Sequence, residues 1–297
     1  MTMNSIWNNS IDKKFFLADN LPSSLNKLLF TVYNRHYEEL YEPEATRATC
    51  LQDDLDEILG LFNKNSSQIL KQFRYIWMAL ILASAVEPTV KYYLPDYNIS
   101  EDTINQLASW LKKTLVNVKL IHKQKNFNKM LEQIEFIDSS DNLDKSLDLD
   151  NIFSEDKKIP SFQVIYEALD VYKNAVEVLD PNQSLEALLN ILDDCLEGYA
   201  IFPGSQGRRE LFNWWLLEVV PASWRFSVPH FIYTINDSVD EKGIISSQIA
   251  KLEEIMSEML SIMSMSNLNI LPYPSLKSFD INVKTQNKSA FNSIEWT

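Results

Sequence analysis

Glycine is scarce in this 297-residue chain, which holds five, against an average usage of roughly 7 % of residues. That scarcity argues against glycine-fingerprinted nucleotide folds and turn-rich β architectures, and in favour of helices. Cysteine is scarcer still. Cys50 and Cys195 are the two present, too few for a disulfide framework or a zinc site, and they read as reduced thiols of a cytoplasmic protein. The three histidines, His36, His122 and His230, lie far apart and have no neighbour at metal-ligand spacing. They form no Ser/His/Asp or Cys/His arrangement, and the Glu-x-x-His pairs of a di-iron site are missing. His36 falls on an apolar helical stripe and is expected in the core.

Positive charge is also short. Lys and Arg number 27 against 41 Asp and Glu, a formal net charge of −14. Residues 1–136 are near neutral, with 15 basic and 16 acidic side chains, while residues 161–297 carry 9 and 18. Such a chain repels a phosphate backbone and an anionic bilayer, so neither nucleic acid nor a membrane surface is an expected partner. Long apolar runs are absent too. The longest, Ile76 to Val86, is about half the ~20 residues that a membrane span needs, so no span is expected and the run reads as a buried helix. Met1 to Phe16 shows no basic segment followed by an apolar one, so no secretory leader is expected.

The composition is 45 % hydrophobic and 11 % aromatic, enough to bury a sizeable core. Leu25, Leu28, Val32, Tyr33, His36 and Leu40 recur at helical spacing over 21–41. Pro43 opens a second helix with Leu51, Leu55, Ile58, Leu59 and Phe62 on one face. A third follows Ser66 and Ser67 and runs to Val86, with Pro88 and Pro95 bounding a loop. Ser100 is placed to cap a long helix carrying Ile104, Leu107, Leu111, Leu115 and Val118 toward Phe136. Asp180-Pro181-Asn182-Gln183 has the form of a capping box and opens a helix with Leu185, Leu188, Leu189, Leu192 and Leu196. A further helix runs from Gly207 to Val220 and stops at Pro221, and the last covers Ile244 to Met265. The expected fold is all-α, an irregular multi-helix bundle in two lobes. Residues 1–136 form the N-terminal lobe, 137–160 an acidic linker, 161–266 the C-terminal lobe and 267–297 an extended tail.

One segment differs from the rest. Gly198 to Phe231 holds three of the five glycines, three of the seven tryptophans and three of the six arginines. Its candidate partner- or anion-binding residues are Ser205, Gln206, Gly207, Arg208, Arg209, Trp214 and Trp215. A helix starting near Ser205 would aim free backbone amides into the loop before it. Two arginines in a first helical turn sit at the end that prefers anions. Either a bound phosphate or carboxylate compensates them, or Asp193, Asp194 and Glu197 of the preceding helix do. A tryptophan exposed beside Arg208 would make a binding hot spot.

Asp53-Asp54-Leu55-Asp56-Glu57 and Asp193-Asp194-Cys195-Leu196-Glu197 both fit D-D-x-x-E. On a helix the first and last carboxylates share a face, where Mg²⁺ would relieve their repulsion. Both strings also lie opposite a leucine stripe, as a solvated face requires. The strings resemble the metal motif of the class I terpenoid synthases, which are all-helical and of similar size. That resemblance implies Mg²⁺ held by Asp53, Asp54 and Glu57 or by Asp193, Asp194 and Glu197, with a prenyl-type diphosphate on Arg208 and Arg209. The family's second metal motif does not follow. After Asn236-Asp237, position 240 is Asp where a hydroxyl or glycine is expected, and position 244 is Ile where Glu is expected.

Two further patterns concern partners. Lys112, Lys113, Lys119, Lys123, Lys125 and Lys129 lack the arginines and interleaved aromatics of a nucleic-acid patch. They read as a solvated face, or as a dock for the acidic linker. Ile245, Ile249, Leu252, Met256, Met259 and Met263 follow a 4-3-4-3-4 spacing, an a/d seam that either packs on the bundle or forms a homodimer through 245–263. The expected function is a non-enzymatic, cytoplasmic helical interaction, assembly or regulatory protein that binds a protein partner through 202–225 without a cofactor. The alternative is an Mg²⁺-dependent all-α enzyme acting on a prenyl-type diphosphate.

Overall fold

The apolar run Ile76–Val86 is the axis of the molecule. A computed structural model describes residues 21–41, 51–62, 67–122, 162–202, 205, 207–230, 232 and 241–264. Among these residues every regular element is a helix, so the fold is all-α. In chain order the helices are α1 (Ser23–Tyr33), α2 (Leu51–Leu61), α3 (Gln68–Tyr93), α4 (Ile99–His122), α5 (Phe162–Glu177) and α6 (Ser184–Glu197). A composite rod follows, α7, built from Arg208–Trp214, a π-helical turn Trp215–Val219 and Val220–Arg225. The last is α8 (Glu241–Ser264). The linker 137–160 and the tail 267–297 lie outside the described residues.

No residue from Ile76 to Val86 is more than 2 % exposed. A helix that is apolar all round has to be wrapped by others. Around α3 the wrapping is done by α4, α5, α6, α8 and the C-terminal part of α7. By length and mean hydropathy α3 would suit a bilayer, yet 83 % of its most apolar 18-residue window is buried in the bundle. Helices from both sides of 137–160 share this one core, which runs from Leu21 and Leu25 to Ile255 and Met259.

Several helix boundaries differ from the sequence reading, each for a local reason. The first helix ends at Tyr33, where Asn34 turns its side-chain amide back onto the Phe30 carbonyl at 2.7 Å. His36 is consequently exposed and stacked on Tyr41 at 5.0 Å, while Tyr37 takes the core position. The third helix passes through Pro88 to Tyr93 instead of stopping at Val86. A proline inside a helix orphans the carbonyl four residues back, here that of Ser84. The side-chain amide of Gln248, on α8, donates to that carbonyl. Ser100 is buried in the first turn of α4 instead of capping it. Asp180 does accept the Asn182 amide at 2.9 Å, but the α-helix begins only at Ser184. The rod α7 runs through Pro221 to Arg225. Its π turn, with the Val220 amide bonded to the Trp215 carbonyl, widens the rod where the proline ring arrives.

The chain leaving each helix presents carbonyls without an intrahelical donor. Side chains of α3 reach several of them. Gln72 Nε2 donates to the Val178 carbonyl beyond α5 at 2.6 Å. The Tyr75 hydroxyl donates to Leu59 of α2 at 3.0 Å. Trp77 Nε1 donates to Ser227 beyond α7 at 2.9 Å. Arg74, 2 % exposed, donates to the carbonyls of Trp224 (3.3 Å) and Phe62 (3.4 Å) and stacks on the Trp224 ring at 3.4 Å. Burial lowers the Arg74 pKa to about 10, which leaves it charged at neutral pH.

Replacing Arg74 with Met keeps the apolar stem and deletes the donors and the ring contact. The expected loss is about 2–4 kcal/mol, seen as a lower urea midpoint at unchanged slope, with Arg74→Lys falling between.

Candidate functional site

The singled-out segment begins where α6 ends. Tyr199–Ile201 form a 3-10 turn, with the Ile201 amide on the Gly198 carbonyl at 2.8 Å. Gly198 lets Glu167 lie against it, since a β-carbon there would meet Glu167 Oε2 at 2.0 Å. Gly207 precedes α7 with φ 139° and ψ 174°, a conformation essentially restricted to glycine. Gln206 lies outside the described residues. Ser205, Gly207, Arg208 and Arg209 are half-buried.

Both arginines are engaged within the chain, though with backbone instead of the carboxylates of α6. Arg209 donates to the carbonyls of Arg35 (2.8 Å) and Tyr33 at the exit of α1. Arg208 donates to the Glu197 carbonyl, the last of α6, at 3.3 Å, and to the Glu39 carbonyl at 3.4 Å. Helix C-termini carry partial negative charge. The cations misplaced at the start of α7 are thus neutralised by the ends of two other helices. Trp214 and Trp215 are inside as well, at 0 % and 2 % exposure. Trp214 meets Phe202 at 6.1 Å, and Trp215 stacks on Phe212 at 6.0 Å. Neither tryptophan offers the exposed indole that the sequence suggested.

The first acidic string is not the uniform solvated face its pattern suggested. Asp53, Asp56 and Glu57 are exposed, but Asp54 is buried. Arg35 Nη1 grips both Asp54 oxygens at 2.5 and 2.7 Å, and the Tyr37 hydroxyl donates to Oδ2. Burial, reinforced by Asp54, pushes the Tyr37 phenol well up.

On the second string Asp193 and Glu197 are exposed and Asp194 is half-buried. Asp194 accepts from Asn174 Nδ2 at 3.2 Å and faces Asp170 and Glu167 on α5. Burial first, then the Asp170 charge, raise the Asp194 pKa to about 7. Burial also raises Glu167 and Asp170. Among the described residues, no group of three or more His, Cys, Asp or Glu is arranged to hold a metal ion.

The proposed dimer seam is partly turned inward. Gln248, Leu252, Ile255 and Met259 form the buried stripe of α8, facing α4 and α3, while Ile249 and Met256 are half-buried. The side chains of Ile245 and Met263 lie outside the described residues. Lys112 ties α4 to α8 through Glu258 at 2.7 Å.

Sequence reasoning missed one surface. Tyr92 and Tyr93 end α3, Tyr97 lies in the turn to α4, and they are 69 %, 37 % and 43 % exposed. The doublet closing an apolar run was the available signal. No family model, no curated protein and no solved structure matches this chain.

Two measurements follow from this geometry. The folded chain holds the Asp194 proton up to about pH 7, whereas an unfolded chain releases it near pH 4. Between those values the folded state binds the extra proton, so rising pH lowers stability across that window and no further above it. Asp194→Asn is expected to exceed the parent by about 1–2 kcal/mol at pH 8 in chemical denaturation, with the gap closing toward pH 4. Arg209→Met is expected to cost about 1–3 kcal/mol at neutral pH, because two carbonyls lose their donor. Asp193→Ala, at an exposed position, should stay within about 0.5 kcal/mol of the parent.

Proposed function

We propose that the protein is a non-enzymatic helical interaction protein, an assembly or regulatory factor that works by binding a protein partner. The observation that carries this reading is the contrast between tryptophan and tyrosine. Trp77, Trp214 and Trp215 are buried, whereas three tyrosines stand out together where α3 gives way to α4. Aromatic residues are enriched in protein interfaces, where they anchor binding. The 202–225 segment serves this reading mainly as scaffold, since Arg208 and Arg209 hold helix ends and its three tryptophans are interior. Cys195, buried and unpaired by any disulfide, suits the reducing cytoplasm.

The test is recovery of a partner by affinity capture with the full chain, comparing wild type with Tyr92→Ala/Tyr97→Ala at matched melting temperature. A near-stoichiometric protein held by wild type and lost from the variant is the expected result. Capture that ignores the tyrosines overturns the assignment of the surface. A clear rise in melting temperature on adding Mg²⁺ and pyrophosphate overturns the reading in favour of a diphosphate enzyme.

A further inference from the structure

We infer that the tyrosine-lined end of the bundle docks an arginine-bearing basic segment of the partner protein, an inference that rests on the interaction reading above. The Tyr92 and Tyr93 rings meet edge to face, 5.0 Å apart at 88°, so two aromatic planes stand at right angles at the end of α3. Carboxylates follow them closely in the chain. Asp96 is exposed in the turn, and Glu101 and Asp102 are exposed in the first turn of α4. Lys91 is the one cation between residues 87 and 102, and it is held by Glu87 at 2.7 Å. Asp96, Glu101 and Asp102 therefore lie exposed in the same stretch of chain as the tyrosines, where Lys91 is the single cation.

Aromatic faces and carboxylates together recognise one side chain better than any other. A guanidinium stacks flat on a tyrosine ring and forks two hydrogen bonds to a carboxylate. An apolar partner would strip water from three carboxylates and give nothing back. An acidic partner would be repelled. The formal charge of −14 on the whole chain draws a basic segment in from a distance and makes the encounter salt-sensitive.

Fluorescence anisotropy with labelled nine-residue peptides tests this, using alternating Arg-Gly, Lys-Gly and Glu-Gly sequences against the full chain. The arginine peptide is expected to bind more tightly than the lysine peptide, and the glutamate peptide not at all. Tyr92→Ala/Tyr97→Ala should weaken the arginine peptide about tenfold, whereas Tyr92→Phe/Tyr97→Phe, which keeps both rings, should stay within about twofold of wild type. Asp96→Asn/Glu101→Gln should weaken binding and flatten its salt dependence. Equal affinity for the arginine and lysine peptides, together with indifference to the tyrosine substitutions, would mean attraction to bulk acidity alone and overturns the inference. Absence of arginine-peptide binding overturns it too. If the peptides fail while Tyr92→Ala/Tyr97→Ala still sheds a captured partner, the surface stands and the basic-segment assignment falls. If both fail, the interaction reading falls with it.

Discussion

Buried helix ends set the terms of this fold. A helix packed end-on against its neighbours leaves carbonyls that neither water nor its own backbone can reach. The usual remedy is a glycine just past the last turn, and this chain has five glycines in all. Gly198 closes α6 without the left-handed turn, at φ −90°, its amide on the Asp194 carbonyl at 2.8 Å. Elsewhere the donors come from a distance: Arg209 at the exit of α1, Tyr75 and Arg74 at α2, Gln72 beyond α5, and Arg74 with Trp77 at the end of α7. The chain turns out of α7 at Phe226, left-handed at φ 54° and buried. A left-handed non-glycine residue costs about 1–2 kcal/mol, and burial of a phenylalanine returns about as much or more. A net hydrogen bond contributes about 1 kcal/mol, but an orphaned buried carbonyl costs about 1–3. Loss of any one donor is therefore felt as a penalty, more than as a missing gain.

The same constraint explains why α3 tolerates a proline. Pro88 frees the Ser84 carbonyl in the middle of an apolar bundle, and Gln248 reaches in from α8 to take it. At the adjacent residue the Tyr172 hydroxyl of α5 donates to the Ala83 carbonyl at 2.7 Å. Polar contacts to the backbone of α3 thus fix the axial position of its neighbours, where side-chain packing alone would allow sliding. A stripe of leucines specifies that two helices touch. A single amide on a single carbonyl specifies where.

This division matches what could be read from the residues. The existence and faces of the helices followed from apolar spacing, because a 3.6-residue period is a local signal. Ile76–Val86 was legible as interior for the same reason. The ends of helices were less legible. Pro88 and Pro221 would each stop an isolated helix; the donor that serves α3, Gln248, lies far away in sequence, and α7 passes Pro221 by way of its own π turn. Asp54 shows the limit most clearly. Its string has the pattern of a solvated face, yet Arg35, 19 residues earlier, draws it inside. The placement of Arg208 and Arg209 was half legible. Their conflict with the start of α7 demanded a negative partner, and carboxylates seemed the nearest supply. Helix termini, whose charge belongs to no residue type, met the demand instead.

That use of arginine has a consequence for the outside of the molecule. Of the six arginines, Arg35 is clamped on Asp54, Arg74 is buried against Trp224, Arg208 and Arg209 hold helix ends, and Arg225 Nε bonds the Pro221 carbonyl at 3.2 Å. Five of the six cations best suited to recognising anions are thus committed to the interior architecture. Many acids of the described residues lie outside instead: Asp53, Asp56, Glu57, Asp96, Glu101, Asp102, Asp193 and Glu197 are all exposed. The surface formed by the described residues is accordingly rich in carboxylates and poor in uncommitted guanidinium. In the proposed reading a basic partner supplies what this surface is short of, and the tyrosines at the end of α3 give it a place to settle. On that reading, long-range attraction acts over the acidic surface, and the end of α3, where exposed rings and carboxylates lie close in the chain, turns that attraction into recognition.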